Sequence, residues 1–159
     1  MKNVYIILGL ATILTIAQLL FGPAVAKEVE MKVYNYEITR VIDGDTVAFE
    51  AKFLPAPLKQ ELSIRVYGVD TPEKGWRAEC QSEAKWGEKA SQFTKDQLNN
   101  AKKLQVAIYK WDKFGGRVLG DIIIDGKSLR AMLIDNGFAR EYYGDKKESW
   151  CWQFNKIIV

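Results

Sequence analysis

The sequence predicts one α+β domain dominated by strands, and the simplest such fold is a five-stranded OB-type β-barrel with two or three helices. Alternating apolar and polar residues predict three strands in the first half, and a long helical pattern follows the third strand. Two further strand patterns come after that helix. This order of elements is typical of OB-type barrels. An open α+β sheet is the alternative that the same order allows.

The first three strands are predicted at residues 28–40, 46–53 and 61–69. Asp43-Gly44-Asp45 is a turn between the first two, because aspartate favours turns and glycine tolerates positive φ. The third strand ends at Thr71-Pro72, since the residue before a proline is restricted and proline cannot donate a backbone hydrogen bond.

A long helix is predicted over residues 82–99, with Ser82 as its N-cap. Its small and apolar residues recur at three- and four-residue steps and predict one buried face. They are Ala84, Gly87, Ala90, Phe93, Thr94 and Leu98. Strands follow at 104–109 and 118–124, joined by a polar loop at 112–117. A short helix is predicted over 128–136, from a Ser128 cap to a stop at Gly137.

Residues 1–26 have the pattern of a secretory signal peptide. Lys2 is the one charged residue among them, an apolar run extends from Val4 to Phe21, and Ala24-Val25-Ala26 is a small-x-small cleavage site. Cleavage after Ala26 would leave residues 27–159 as a single secreted or periplasmic domain. The apolar run is also near the length that spans a bilayer, so an uncleaved envelope anchor is the alternative.

The composition excludes several kinds of hydrolase. The chain has no histidine, which excludes Ser-His-Asp triads, Cys-His pairs and histidine general bases, and removes the usual zinc ligands. Any hydrolysis must therefore use carboxylates, arginines, lysines and a metal. The net charge of +3 alone does not indicate a nucleic-acid-binding protein. Basic and aromatic residues are interleaved between positions 102 and 147, a pattern that suits nucleic acid but also fits solvated strand edges.

The chain has two cysteines, Cys80 and Cys151. In an oxidising compartment an even count predicts one disulfide, and two free thiols are the alternative. Metal binding by this pair is not expected, because no histidine or further cysteine completes a ligand set.

Carboxylates and an arginine cluster at two predicted strand ends. Asp45 follows the first turn, Asp70 and Glu73 follow the third strand, and Arg65 lies within that strand. Carboxylate oxygens suit a hard cation such as Ca²⁺ or Mg²⁺, and a guanidinium can grip a phosphate with two parallel hydrogen bonds. This set therefore predicts metal-assisted cleavage of a phosphodiester.

Six short segments resemble the staphylococcal nuclease, or thermonuclease, family, in the same order and at nearly the same spacing. They are VIDGDT at 41–46, IR at 64–65, VDTPE at 69–73, DKFGGR at 112–117, DGK at 125–127 and NGFA at 136–139. The resemblance covers residues 34–143. It implies a calcium-dependent endonuclease on an OB-type barrel, with DNA and RNA as substrates.

The resemblance also implies roles for individual residues. Asp45, Asp70 and the backbone carbonyl of Thr71 correspond to the calcium ligands. Glu73 corresponds to the residue that orients or deprotonates the attacking water, and Arg65 and Arg117 to the phosphate clamps.

Three further residues, Lys113, Phe114 and Tyr143, correspond to contacts with the substrate. Phe114 stands where the family commonly has tyrosine, so it can stack but has no hydroxyl to donate. Gly115-Gly116 adds one residue before Arg117 and so could re-aim that arginine. Little chain follows Tyr143 for the family's long C-terminal helix, and we expect a Cys80–Cys151 bridge to replace its packing.

The expected function is therefore a secreted or periplasmic endonuclease with little sequence specificity. Its only membrane contact would be through the signal peptide, and a monomer is the simplest assembly. Two alternatives remain open: a barrel that binds nucleic acid without cleaving it, and an envelope-anchored barrel whose carboxylates only bind calcium.

Overall fold

A computed structural model describes residues 32–151 of the protein. The predicted signal peptide or anchor at 1–26 lies outside these residues. Between residues 32 and 151, no helix is both long and apolar enough to cross a membrane.

Strands dominate the described chain, and two α-helices accompany them. The strands are β1 (Val33–Tyr34), β2 (Ile38–Asp43), β3 (Thr46–Glu50), β4 (Glu61–Val66), β5 (Val69–Asp70), β6 (Leu104–Trp111), β7 (Arg117–Ile124), β8 (Lys127–Ser128) and β9 (Arg140–Glu141). The helices are α1 (Gln81–Asn99) and α2 (Leu129–Asp135). The strand-dominated α+β class is therefore confirmed.

Most strands form one sheet in the order β1-β6-β7-β4-β3-β2, with β8 added to β7. The pairing of β4 with β7 is parallel and the other pairings are antiparallel. In the part of the chain that the structure describes, no strand pairing joins the two ends of this order. The prediction of a closed OB-type barrel is therefore not confirmed.

The predicted third strand is divided at a tight turn. β4 ends at Val66, β5 begins at Val69, and Gly68 between them has φ of +80°, which only glycine adopts readily. β5 leaves the main sheet and pairs with β9, placing Asp70 opposite Arg140. A single strand over 61–69 was therefore wrong, and the division is what moves Asp70 away from the main sheet.

The core lies between the sheet and the two helices, and its largest fully buried side chains are aromatic and branched aliphatic: Phe49, Ile64, Ile122, Leu129 and Leu133. The predicted buried face of α1 is largely correct, because Gly87, Ala90, Thr94 and Leu98 are buried. Ser128 caps α2 as predicted, by accepting a hydrogen bond from the Ala131 amide at 3.2 Å. Ser82 is not the cap of α1, which begins at Gln81 after Cys80.

Candidate functional site

The sheet register sets an ion pair between Asp45, which is buried, and Arg65, which is partly buried. Thr46 at the start of β3 lies opposite Arg65 of β4, which brings the neighbouring Asp45 alongside the guanidinium. Arg65 Nη1 donates to Asp45 Oδ1 at 2.9 Å, and Nη2 lies 2.9 Å from Oδ2. Burial raises the pKa of Asp45, and Arg65 and a hydrogen bond from Thr46 oppose that rise.

Asp70 is buried at the end of β5 and is contacted by the C-terminal part of the described chain. Its Oδ2 accepts a hydrogen bond from the Trp150 indole at 3.0 Å. Its Oδ1 lies 2.6 Å from Lys147 Nζ and 3.8 Å from Arg65 Nη2. Burial lowers the pKa of Lys147, but the close, negatively charged Asp70 carboxylate outweighs this effect, so the pKa is raised.

The donor set fits a cation. Asp45 Oδ2 and Asp70 Oδ1 are buried and accept no hydrogen bond of acceptable geometry from the described residues, although each faces a charged nitrogen. Both oxygens lie within 4.0 Å of the same nitrogen, Arg65 Nη2, so they face one small region. Two buried carboxylates whose oxygens face one small region suit Ca²⁺ or Mg²⁺, which bind carboxylate oxygens, and the resemblance adds the backbone carbonyl of Thr71, the residue after Asp70.

Glu73 lies beside this pair and is partly exposed. Its side chain lies 3.6 Å from Lys147 Nζ and 3.5 Å from Arg77 Nε. Its backbone amide donates to the buried carboxylate of Glu83 on α1, at 3.2 Å. The turn at residues 70–73, called here the 70–73 turn, is thereby tied to α1 while the Glu73 carboxylate reaches solvent.

Arg65, Glu73 and Arg117 line one cleft of about 420 Å³, together with Lys113, Phe114 and Tyr143. The parallel register of β4 and β7 explains why the two arginines face the same way. Ser63 lies opposite Arg117, and Ser63 and Arg65 are two residues apart on β4, so their side chains share a sheet face. The predicted clamps and water partner thus converge at one opening.

Arg117 is held at the mouth of the 112–117 loop. Its Nε donates to the Asp112 carboxylate, and its guanidinium lies 4.6 Å from the centre of the Phe114 ring. Asp112 also accepts from the Lys113 amide at 2.6 Å. Gly116 has φ of +75°, and this turn brings Arg117 into β7 beside Ser63 despite the additional glycine.

The predicted substrate contacts are exposed aromatic and basic groups. Phe114 and Tyr143 are more than half exposed, and Lys113 Nζ lies 5.3 Å from the Phe114 ring centre. Tyr143 packs edge-on against Tyr67, with ring centres 5.8 Å apart. Its hydroxyl accepts from Arg130 Nη2 at 2.8 Å.

A disulfide joins Cys80, which precedes α1, to Cys151. The sequence indicated this pair, and the bond brings the segment 147–151 against the 70–73 turn. The group that the structure assembles from Cys80, Glu83 and Cys151 is accounted for by this bond, because a disulfide leaves no thiolate to bind a metal.

The sequence reasoning missed four residues of this site. Lys147 and Trp150 contact Asp70, Arg77 binds Asp43 at 2.7 Å, and Asp112 binds Arg117. A signal existed for Trp150, because it precedes Cys151 and a bridge to Cys80 would bring it near the start of α1. Asp43, which the sequence favoured only as a turn residue, pairs with Arg77.

Residues 63–153, more than half of the chain, match the family model described as "Staphylococcal nuclease homologue". The chain belongs to the staphylococcal nuclease family. The resemblance identified from the six sequence segments is therefore confirmed.

Two relatives illustrate the similarity within this nuclease family. The chain is 34% identical over 116 residues to Endonuclease YncB of Bacillus subtilis, covering 72% of this chain and 51% of that protein. It is 30% identical over 139 residues to the Thermonuclease of Staphylococcus intermedius, covering 85% of this chain and 77% of that protein. The match thus spans about half the length of the Bacillus protein.

Proposed function

We propose that this protein is a calcium-dependent endonuclease that hydrolyses phosphodiester bonds in DNA and RNA with little sequence specificity. One observation carries the proposal: Arg65, Arg117 and Glu73 line a single cleft, and Arg65 also contacts the buried carboxylates of Asp45 and Asp70. The relatives named endonuclease and thermonuclease support the reaction class.

Each side chain has a distinct task in this proposal. Asp45, Asp70 and the Thr71 carbonyl hold the cation, which when bound supplies positive charge beside a phosphate oxygen and a water. Glu73 accepts the proton of the attacking water, since it is the acidic cleft residue whose carboxylate is partly exposed. Arg65 and Arg117 donate to the phosphate oxygens on which charge grows during attack.

The exposed residues of the cleft bind the rest of the strand. Lys113 attracts a neighbouring phosphate, while Phe114 and Tyr143 offer ring faces for base stacking, which is tolerant of sequence. Phe114 lacks a hydroxyl, so its contribution is stacking and its contact with Arg117 rather than a hydrogen bond to phosphate.

We also propose that the protein acts outside the cytoplasm, secreted or periplasmic, after cleavage at Ala26, as one domain over residues 27–159. The Cys80–Cys151 disulfide supports this location, because such bonds persist in oxidising compartments. N-terminal sequencing of the purified protein tests it: a start at Lys27 supports release, and an intact N-terminus supports the envelope anchor.

A binding module without catalysis is the second candidate. Two observations favour it: Lys147 lies on Asp70, and Asp112 engages Arg117. The first contact must yield for a cation to bind Asp70 Oδ1, and the second occupies one of the donors with which Arg117 could bind a phosphate.

A nuclease assay separates the two candidates. Single-stranded DNA and RNA are incubated with the purified protein in millimolar Ca²⁺, in Mg²⁺ and in EDTA. Cleavage in Ca²⁺ that EDTA abolishes supports the enzyme. Tight binding in Ca²⁺ without cleavage supports the binding module and overturns the proposed reaction.

A further inference from the structure

The strongest unassigned feature is the contact between Trp150 and Asp70, which are 80 residues apart in sequence. The indole N–H donates to Asp70 Oδ2 at 3.0 Å, and both residues are buried. A phenylalanine ring would fill most of the same apolar space, so packing alone does not require an indole N–H aimed at a carboxylate oxygen. The contact therefore points to a role in orienting Asp70.

The Trp150 side chain is itself held firmly. Cys151, the next residue, is bonded to Cys80, and the Arg140 guanidinium lies 3.6 Å from the Trp150 ring centre. Arg140 Nη2 also donates to the Ser149 carbonyl at 3.1 Å. Ser149 Oγ donates to the Glu79 carboxylate at 2.7 Å. The indole is thus anchored through both neighbours in the chain and through one face of its ring.

The two carboxylate oxygens of Asp70 therefore have different surroundings. Oδ2 is occupied by Trp150, while Oδ1 faces Lys147 and Arg65 and accepts no hydrogen bond of acceptable geometry from the described residues. Groups that hydrogen-bond a metal ligand fix its orientation, and their loss commonly weakens metal binding by about 10- to 100-fold.

We propose that Trp150 is a positioning residue that fixes Asp70 for cation binding, and that the Cys80–Cys151 disulfide holds Trp150 in place. This inference rests on the proposed function, because it assumes that Asp70 binds the cation. It predicts that the affinity for the ion depends on the oxidation state of a disulfide that has no ligand role of its own.

The test measures Ca²⁺ affinity by calorimetric titration of the purified protein, so the readout does not depend on cleavage. Trp150→Phe removes the N–H and keeps the ring over Arg140. Trp76→Phe is the matched control, since it makes the same chemical change at a residue that is 93% exposed. Each protein is titrated oxidised and after reduction with dithiothreitol, and thermal unfolding without Ca²⁺ checks that each is folded.

We expect Trp150→Phe to raise the Kd for Ca²⁺ by about 10-fold or more, with Trp76→Phe unchanged. Reduction should raise the Kd of the wild-type protein by a similar factor. It should add little to the Trp150→Phe variant, because coupled changes that act through one contact are not additive. Cleavage by Trp150→Phe should recover towards the wild-type rate as Ca²⁺ is raised to saturation.

Three results would overturn the proposal. Equal Kd values for Trp150→Phe and Trp76→Phe would remove the role of the indole N–H. Independent, additive effects of reduction and Trp150→Phe would separate the disulfide from Trp150. A wild-type protein that binds no Ca²⁺ and cleaves nothing would refute the proposed function and this inference with it. If Trp150→Phe does not fold, reduction of the wild-type protein decides: an unchanged Kd overturns the proposal.

Discussion

The 70–73 turn and the 112–117 loop face the same cleft, but they are built in opposite ways. The turn is packed against α1: a β-carbon on Gly87 would clash with the Glu73 carbonyl and lie 2.8 Å from the Pro72 carbonyl. In the loop, a β-carbon on Gly115 or Gly116 would meet nothing within 4 Å. Phe114 at its tip is 53% exposed, whereas Asp70 is 5% exposed.

This difference matches the demands on each region. A cation and an activated water need fixed ligands, because small displacements of reacting groups slow the chemistry strongly. A phosphate clamp and a stacking ring must follow a flexible strand, and a few contacts can position them. Changes in the turn should therefore lower kcat, whereas changes at the exposed loop residues 113–116 should raise KM more than they lower kcat.

The largest expected effect is that of Glu73→Gln, which removes the proposed proton acceptor but keeps the shape of the side chain. We expect kcat to fall by roughly 10²- to 10⁴-fold, the usual contribution of a general base. Stability should change by less than about 1 kcal/mol, because the lost ion pairs at 3.5 and 3.6 Å are partly exposed. Initial rates on single-stranded DNA and thermal unfolding measure the two quantities.

Glu88→Gln is the control, since it makes the same change on the exposed face of α1. Wild-type activity in Glu73→Gln would rule out the assigned role of Glu73 and with it the idea that the turn holds the chemistry.

The second effect tests the loop through Arg117→Ala. Loss of one donor to developing charge commonly lowers the rate by about 10²- to 10³-fold. We expect a KM increase in addition, because Arg117 also contacts Phe114. Arg117→Lys should recover only part of the loss, since an ammonium lacks the planar fork. A loss below tenfold for Arg117→Ala would mean that the additional glycine has moved this arginine away from the phosphate.

The third effect compares two glycines directly. Gly87→Ala should displace the 70–73 turn and lower kcat by up to about 10²-fold, whereas Gly115→Ala should change kcat less than about twofold. Alanine is more favourable than glycine within a helix by about 1 kcal/mol, and this gain in α1 offsets part of the stability that the clash costs. Activity should therefore fall more clearly than thermal stability. Equal activities in the two variants would break the contrast between a packed turn and an open loop.

What the sequence could predict depended on whether a feature is set by local pattern or by long-range packing. Asp45, Arg65 and Asp70 were identifiable because turn residues and strand alternation place them at strand ends, and the family resemblance predicted their order. The contacts made by Lys147 and Trp150 could not be predicted, because they depend on where the chain returns after β9. They also depend on a disulfide between cysteines that are 71 positions apart in sequence. Local patterns carry no record of such long-range packing.

The predicted bounds of the third strand were inaccurate for a similar reason. The strand-like alternation of apolar and polar residues continues from 61 to 69, so the pattern showed no sign of a break. The division at Gly68 arises because β5 pairs with β9. The closed barrel was inferred from the order of elements, which does not determine whether the two outer strands meet. The roles assigned to individual site residues remain predictions.

The smallest effect is the pH dependence of stability, and it follows from the burial of Asp45, which shares the proposed cation site with Asp70. Burial raises the pKa of Asp45 above its ordinary value of about 3.9, so the folded protein holds this proton at a pH where the unfolded chain has released it. Proton binding by the folded state stabilises it. The free energy of unfolding of the metal-free protein should therefore rise through this contribution as pH falls towards the raised pKa. Asp45→Asn should remove the contribution, so the difference in melting temperature between the two proteins in EDTA should vary between pH 7 and pH 4. A constant difference across that range would mean that Arg65 fully compensates the effect of burial on the pKa of Asp45.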